Sequence, residues 1–168
     1  LTGLINNFYY EFTSDSGDYI EADAPILVAQ YAVSYNQCVG NIDPPLGDPE
    51  MLYLSPMEQG VKSARFYATR KEAIDITFIN IIIPQTGLAS LRIDGTAPNA
   101  AEWIPHPADP GYAVVVRRFL GAPVQHSISS DSSFIASVYG AGFYESYGYN
   151  MGTMVNDLNS ICSYRNIL

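Results

Sequence analysis

The feature that most constrains this chain is an alternation of apolar and polar residues with a period of two. In "AIDITFINIII" (73–83), Ile74, Ile76 and Phe78 fall on one side of an extended backbone, and Asp75, Thr77 and Ile79 on the other. "ASLRID" (89–94) sets Leu91 and Ile93 against Arg92 and Asp94, and "GYAVVVRRFL" (111–120), "PVQHSISS" (123–130) and "SFIASVYG" (133–140) repeat the pattern. "APILVAQYAVSY" (24–35) adds an apolar run rich in β-branched and aromatic residues. Successive side chains of a strand point to opposite faces, so these runs predict β-strands. Between them lie "DPPLGDP" (43–49), "PQTG" (84–87), "DGTAPN" (94–99), "HPADPG" (106–111) and "SSDSS" (129–133). Glycine supplies positive φ and proline presets a corner, so these clusters read as turns, Asp94-Gly95 and Asp109-Pro110-Gly111 most clearly. No segment reads as a long helix. "SPMEQG" (55–60) predicts one short turn capped by Ser55, and "GTMVNDLNSI" (152–161) fits a helix, a strand or a loop. About ten strands at this spacing predict an all-β fold, an antiparallel β-sandwich or jelly-roll-like domain with little helix. With 168 residues, no internal repeat and no linker-like tract, residues 1–168 are expected to form a single domain.

One stretch raises a separate question. "YGAGFYESYGYNMG" (139–152) places Tyr139, Phe143, Tyr144, Tyr147 and Tyr149 among glycines 140, 142, 148 and 152. "SFIASVYG" is expected to end at Gly140, after which the rings fold back over a sheet edge as an aromatic lid. The alternative is an exposed stacking platform for a sugar or a protein, a role tyrosine suits because it is rigid and amphipathic. Tyr144, Tyr147 and Tyr149 are therefore candidate contact residues. The lone tryptophan, Trp103, precedes the loop "IPHPADPG" and is a further candidate, with burial in the core as its alternative.

Charge is unevenly placed. The net charge is −9, and no lysine or arginine occurs before Lys62. Glu11, Asp15, Asp18, Glu21, Asp23, Asp43, Asp48, Glu50 and Glu58 all precede it. Such acids either stay apart on solvated loops or gather around a cation. Asp15, Asp18, Glu21 and Asp23 are the candidate Ca2+ set, because a hard cation takes oxygen ligands, although their spacing is not that of an EF-hand loop. No other cofactor is indicated. An acidic chain is a poor partner for nucleic acid, whose phosphates need lysine and arginine. No apolar run approaches the roughly 20 residues of a membrane helix, so no membrane insertion is expected. No basic stretch leads into an apolar one at the start, and the chain opens at Leu1, so it reads as a fragment or mature form. The two cysteines, Cys38 and Cys162, are not in C-x-x-C pairs, which argues against zinc and leaves a long-range disulfide or two buried thiols.

Catalytic constellations are missing from the pattern. No serine sits in G-x-S-x-G, no H-E-x-x-H occurs, and no glycine-rich loop ends in lysine before a helix. His106 lies between prolines in a turn, and His126 lies in a strand-like run beside Gln125 and Ser127, where neighbours alternate faces. Both read as structural histidines. A hydrolase would need one of them brought to a serine or carboxylate by the fold.

Several segments, taken together in order and spacing, resemble a known family. They are "PILVAQY" (25–31), "GDPEMLYLSPMEQ" (47–59), "FINIIIP" (78–84), "RIDG" (92–95), "GYAVVVRRFLGAPVQHSIS" (111–129), "SFIASVYG" (133–140) and "ESYGYNMG" (145–152). The set is similar to the IgGFc-binding protein N-terminal domain family, in the form found in large surface proteins of Bacteroidetes-type bacteria. The likeness covers about residues 17 to 158; "GAPVQHSI" departs from it, lacking the family's frequent glycine before the histidine. The resemblance implies an exported, all-β, non-enzymatic module within a longer multidomain chain, secreted or at the cell surface. Its expected partners are a protein or glycan on another cell or in mucus, and neighbouring domains of the parent chain. Such an exported setting favours a Cys38–Cys162 bridge. The reading that follows is a recognition or adhesion module, with a structural spacer packing against neighbouring domains as the alternative.

Overall fold

The alternating runs are strands, except that "ASLRID" (89–94) is mostly turn and is extended only at Arg92–Ile93. The computed structural model describes residue 5 and residues 7–34, 46–121 and 124–154. Among these lie nine strands: β1 (Ala29–Ala32), β2 (Glu50–Tyr53), β3 (Val61–Ala68), β4 (Ile74–Pro84), β5 (Arg92–Ile93), β6 (Trp103–Pro105), β7 (Tyr112–Phe119), β8 (Val124–Gly142) and β9 (Glu145–Asn150). All pairings are antiparallel. β1 and β2 form a separate ribbon; the rest form one seven-stranded sheet in the order β3-β8-β4-β7-β6, with β5 and β9 also paired to β8.

β8 organises this sheet because it has four partners. Its first half pairs with β3 and β5, and its second half with β4 and β9. The two halves therefore carry two layers that fold against each other as a sandwich. From Ile128 onward the even-numbered residues of β8 face the interior: Ile128, Ser130, Phe134, Ala136 and Val138 are all buried, whereas Val124 at its start is exposed. They meet Phe66 of β3, Ile79, Ile81 and Ile83 of β4, Leu91 and Ile93 of and before β5, and Ala113 and Val115 of β7 in one cluster. Fully burying such side chains stabilises by about 1.5–3 kcal/mol each.

The structure corrects several boundaries. "SSDSS" (129–133) is not a turn but the bend inside β8, where the register against β3 slips between Val61–Phe134 and Ser63–Ser129. Serine is tolerated there because Ser130 Oγ pairs with Ser90 Oγ at 2.9 Å, so its buried hydroxyl is not orphaned. β8 runs on to Gly142 rather than stopping at Gly140, and "ESYGYN" is a strand returning beside it rather than a lid. "APILVAQYAVSY" shrinks to four residues, since β1 pairs only with β2 and three of its four side chains face water. The turn at Met57–Gln59 forms, but Ser55 does not cap it; its Oγ bonds Thr153 Oγ1 at 3.1 Å instead. The Asp94-Gly95 turn is as expected: both residues have positive φ (52° and 77°) and Ile93 pairs with Thr96 across it.

At the open rim of the sandwich, Arg117 ties the layers together. Its Nε and Nη2 each donate to a Glu102 carboxylate oxygen at 2.8 Å, while Nη1 donates to the Ile93 carbonyl at 3.2 Å. The bidentate Glu102 contact and the carbonyl bond use the planar donor fork that only arginine offers. Glu102 is held below the usual carboxylate range, first by this hydrogen bond, with burial opposing it.

Candidate recognition surface

The β8–β9 hairpin explains the glycine–tyrosine stretch. Phe143 and Tyr144 form its tip, with Tyr144 at φ 55°, and their rings meet edge-on at 4.5 Å. Along β9, Tyr147 and Tyr149 point inward and pack against the core cluster. Each finds a polar partner for its hydroxyl: Tyr147 lies 3.0 Å from the fully buried Thr77 Oγ1, and Tyr149 bonds both the amide and the carbonyl of Tyr67 at 3.1 Å. Burial is the largest influence on Tyr149 and pushes its phenol pKa up. The glycines make room for these rings: Gly140 lies directly opposite Tyr147, and a Cβ there would collide with the ring. The side chain of Trp103, opposite Val115, also packs against the core. Of the four predicted contact residues, Tyr144 is thus exposed, while Tyr147, Tyr149 and Trp103 hold the interior together.

The histidines are likewise placed by packing. His106 is buried, and its Nδ1 accepts from the amides of Ala108 and Asp109 at 3.3 and 3.2 Å. His126 faces inward, stacked on Phe66 at 4.9 Å and tilted against Phe119 at 4.1 Å. Its Nδ1 is 2.6 Å from Asp94 Oδ2, so the carboxylate fixes the proton on Nδ1. Burial pushes Asp94 up, but the Ser127 amide and His126 outweigh it and hold the carboxyl below its ordinary range. This resembles half of a catalytic triad, yet Nε2 is sealed from solvent and has no hydrogen-bond partner. A base needs its nucleophile in reach of that atom, and none lies there among the described residues.

Asp15, Asp18, Glu21 and Asp23 lie along an exposed segment before β1. Among the described residues, no three His, Cys, Asp or Glu side chains come together as a metal-holding group. Cys38 and Cys162 lie outside the described residues. No helix among those residues is long and apolar enough to cross a membrane.

The surface with recognition chemistry is one the sequence reading missed. It is the outward side of the sheet formed by β9, the second half of β8, β4, β7 and β6. Register places Phe78 between Tyr139 and Arg118, Asn80 between Ser137 and Val116, and Ile82 between Ile135 and Val114, with Ile104 beyond. Phe78 and Tyr139 stack at 5.5 Å. Tyr139, Val116, Ile104 and, at the β8–β9 hairpin tip, Phe143 are all exposed. β2 bounds this face on the β9 side, where Ser146 Oγ donates to the Asp48 carbonyl at 2.7 Å and the Asn150 amide donates to the Tyr53 carbonyl. An aromatic pair beside a row of amide, hydroxyl and guanidinium groups offers both a stacking plane and orienting polar contacts.

No curated protein and no solved structure matches the chain. The family described as "IgGFc binding protein" matches over residues 2–140, a span that takes in β1 through most of β8. The chain belongs to the IgGFc-binding protein family.

Proposed function

We propose that the chain is a non-catalytic recognition module that works outside the cell and holds a protein or glycan against the outward sheet face. The observation that carries this reading is the stacked Phe78–Tyr139 pair set in register with Arg118, Asn80 and Ser137. The family's description names binding to the Fc part of IgG, which supports a binding role here without fixing the ligand. The sealed Nε2 of His126 supports the non-catalytic half of the reading. The test is a glycan array together with mucin and IgG pull-downs, run on the chain and on a Phe78→Ala/Tyr139→Ala form checked for folding by circular dichroism. Binding that disappears in the double variant is expected. Blank results with folded parent chain would count against the reading.

A second reading has its own observation. The β1–β2 ribbon and its flanks expose Leu27, Tyr31, Val33, Met51, Tyr53 and Leu54. A contiguous apolar patch of this kind marks a contact surface. It favours a structural spacer whose ribbon packs against a neighbouring domain of a longer chain. Hydrogen exchange on a longer form of the protein checks it: protection of residues 27–33 only when the neighbour is present is the expected result.

A further inference from the structure

A second concave surface, separate from the sheet face, lies in the segment before β1. Tyr10, Phe12, Tyr19 and Ile20 wall an open groove of about 410 Å³, and Asp18 and Glu21 form its rim. The Tyr10 and Phe12 rings are 6.0 Å apart, and all four walls are about half exposed. The charge around it has one sign. No lysine or arginine precedes Lys62, so no cation within the segment neutralises the rim. Acids from other parts of the fold add to the field. Glu21 first, then Asp109 in the β6–β7 turn and Glu58 before β3, raise the pKa of the Tyr19 phenol.

Rings with carboxylates beside them are a distinct chemical combination. An aromatic face attracts a guanidinium or ammonium, and a carboxylate rim adds direct ion pairing. A hard metal ion needs six or more oxygens, which aromatic walls do not supply. A phosphate or an acidic sugar would be repelled. A neutral sugar would hydrogen-bond the carboxylates through its hydroxyls but leave their charge, which no cation of the segment offsets, uncompensated.

We propose that this groove docks a basic peptide segment of a partner protein, with an arginine or lysine side chain lying over Tyr10, Phe12 or Tyr19 and its charge against Asp18 and Glu21. The proposal goes beyond the sheet-face reading and does not depend on it. The aliphatic stem of the basic residue lies along Ile20, so apolar contact and charge act together.

The test is an NMR titration of the whole chain with an acetylated pentapeptide carrying two arginines separated by leucine. A peptide with citrulline in place of arginine serves as the neutral control. The arginine peptide is expected to shift the ring signals of Tyr10, Phe12 and Tyr19, with affinity falling as salt rises. Asp18→Asn/Glu21→Gln should weaken it by roughly three- to tenfold, and Tyr10→Ser/Phe12→Ser by a similar factor. These side chains are exposed, so the variants should fold as the parent does, and a circular dichroism spectrum verifies that. Phe78→Ala/Tyr139→Ala should leave the titration unchanged. The proposal is overturned if the arginine peptide produces no shifts, if the citrulline peptide binds as well, or if the groove variants bind normally. It is equally overturned if the sheet-face variant is the one that loses the peptide, or if the rings respond only to self-association of the chain.

Discussion

Gly140→Ala tests whether the glycines of the hairpin are spaces for rings. Gly140 is buried and sits opposite Tyr147 across the β8–β9 ladder. An added Cβ would lie 2.8 Å from Tyr147 Cζ and 3.0 Å from Cδ1, well inside van der Waals contact. Tyr147 must therefore rotate or the strands must part. Overpacking of this kind costs about 1–3 kcal/mol. Movement of the ring also breaks its 3.0 Å bond to Thr77 Oγ1, whose side chain is fully buried and out of reach of bulk solvent. An orphaned buried hydroxyl costs about 1–3 kcal/mol. Together these give about 2–6 kcal/mol, or a fall in Tm of about 4–24 °C for a chain of this size. The assay is urea and thermal unfolding followed by circular dichroism, on Gly140→Ala, Tyr147→Ala and the double variant. Because both effects run through one ring, the two costs should not add; the coupling should be about 0.5–3 kcal/mol. A Gly140→Ala chain within about 0.5 kcal/mol of the parent, or strict additivity in the double variant, would refute the reasoning.

Other expectations follow from single contacts. Arg117→Lys keeps the charge but loses the fork to Glu102 and the Ile93 carbonyl, and should cost about 1–3 kcal/mol in urea unfolding. Ala73, at φ 58°, sits in a conformation that disfavours a Cβ. Ala73→Gly should raise stability by about 0.5–1 kcal/mol after the looser unfolded chain is allowed for. Asp94 and Glu102 have folded-state pKa values below their ordinary ones. Their contribution is therefore present above the ordinary carboxylate pKa of about 4 and is lost as pH falls through the lowered values. Unfolding free energy measured from pH 6 downward should drop below about pH 4, and Glu102→Gln should flatten that drop.

Period-two patterning made the strands legible because each strand has one face in the core. It said less where a strand is covered on both sides by neighbours in the sheet. β4 is apolar on both faces: Thr77, Ile79, Ile81 and Ile83 point inward, while Ile76, Phe78 and Ile82 point outward. Ile74 shares parity with Ile76 and Phe78 but is buried, because the ladder slips between Ile74 and Ile76. No local pattern announces that bulge. The serine run at 129–133 misled for a related reason. Serine favours turns when its hydroxyl bonds its own backbone, but here Ser130 is satisfied by Ser90, 40 residues earlier, and the strand continues through it.

The candidate surfaces show the same limit from the functional side. Aromatics clustered in sequence point to Tyr147 and Tyr149, and their spacing shows that the two share a face, while the register with β8 decides which face it is. They share parity along β9, with Gly148 on the opposite face. Equal parity puts both rings on one face, and the register of Tyr147 with Gly140 and Tyr149 with the buried Val138 makes that face the interior. The rings that do face outward, Phe78 and Tyr139, are 61 positions apart and become neighbours only through the β4–β8 register. A surface assembled across strands has no local signature, so only pairing reveals it. The groove at Tyr10, Phe12 and Tyr19 is the opposite case. Its rings and acids all lie within residues 10–21, and the acid excess before Lys62 is visible in the sequence. Acids there suggested a cation of the hard kind because carboxylates alone were counted. The rings between them change the chemistry, since a face of π electrons favours an organic cation over one that must be wrapped in oxygen.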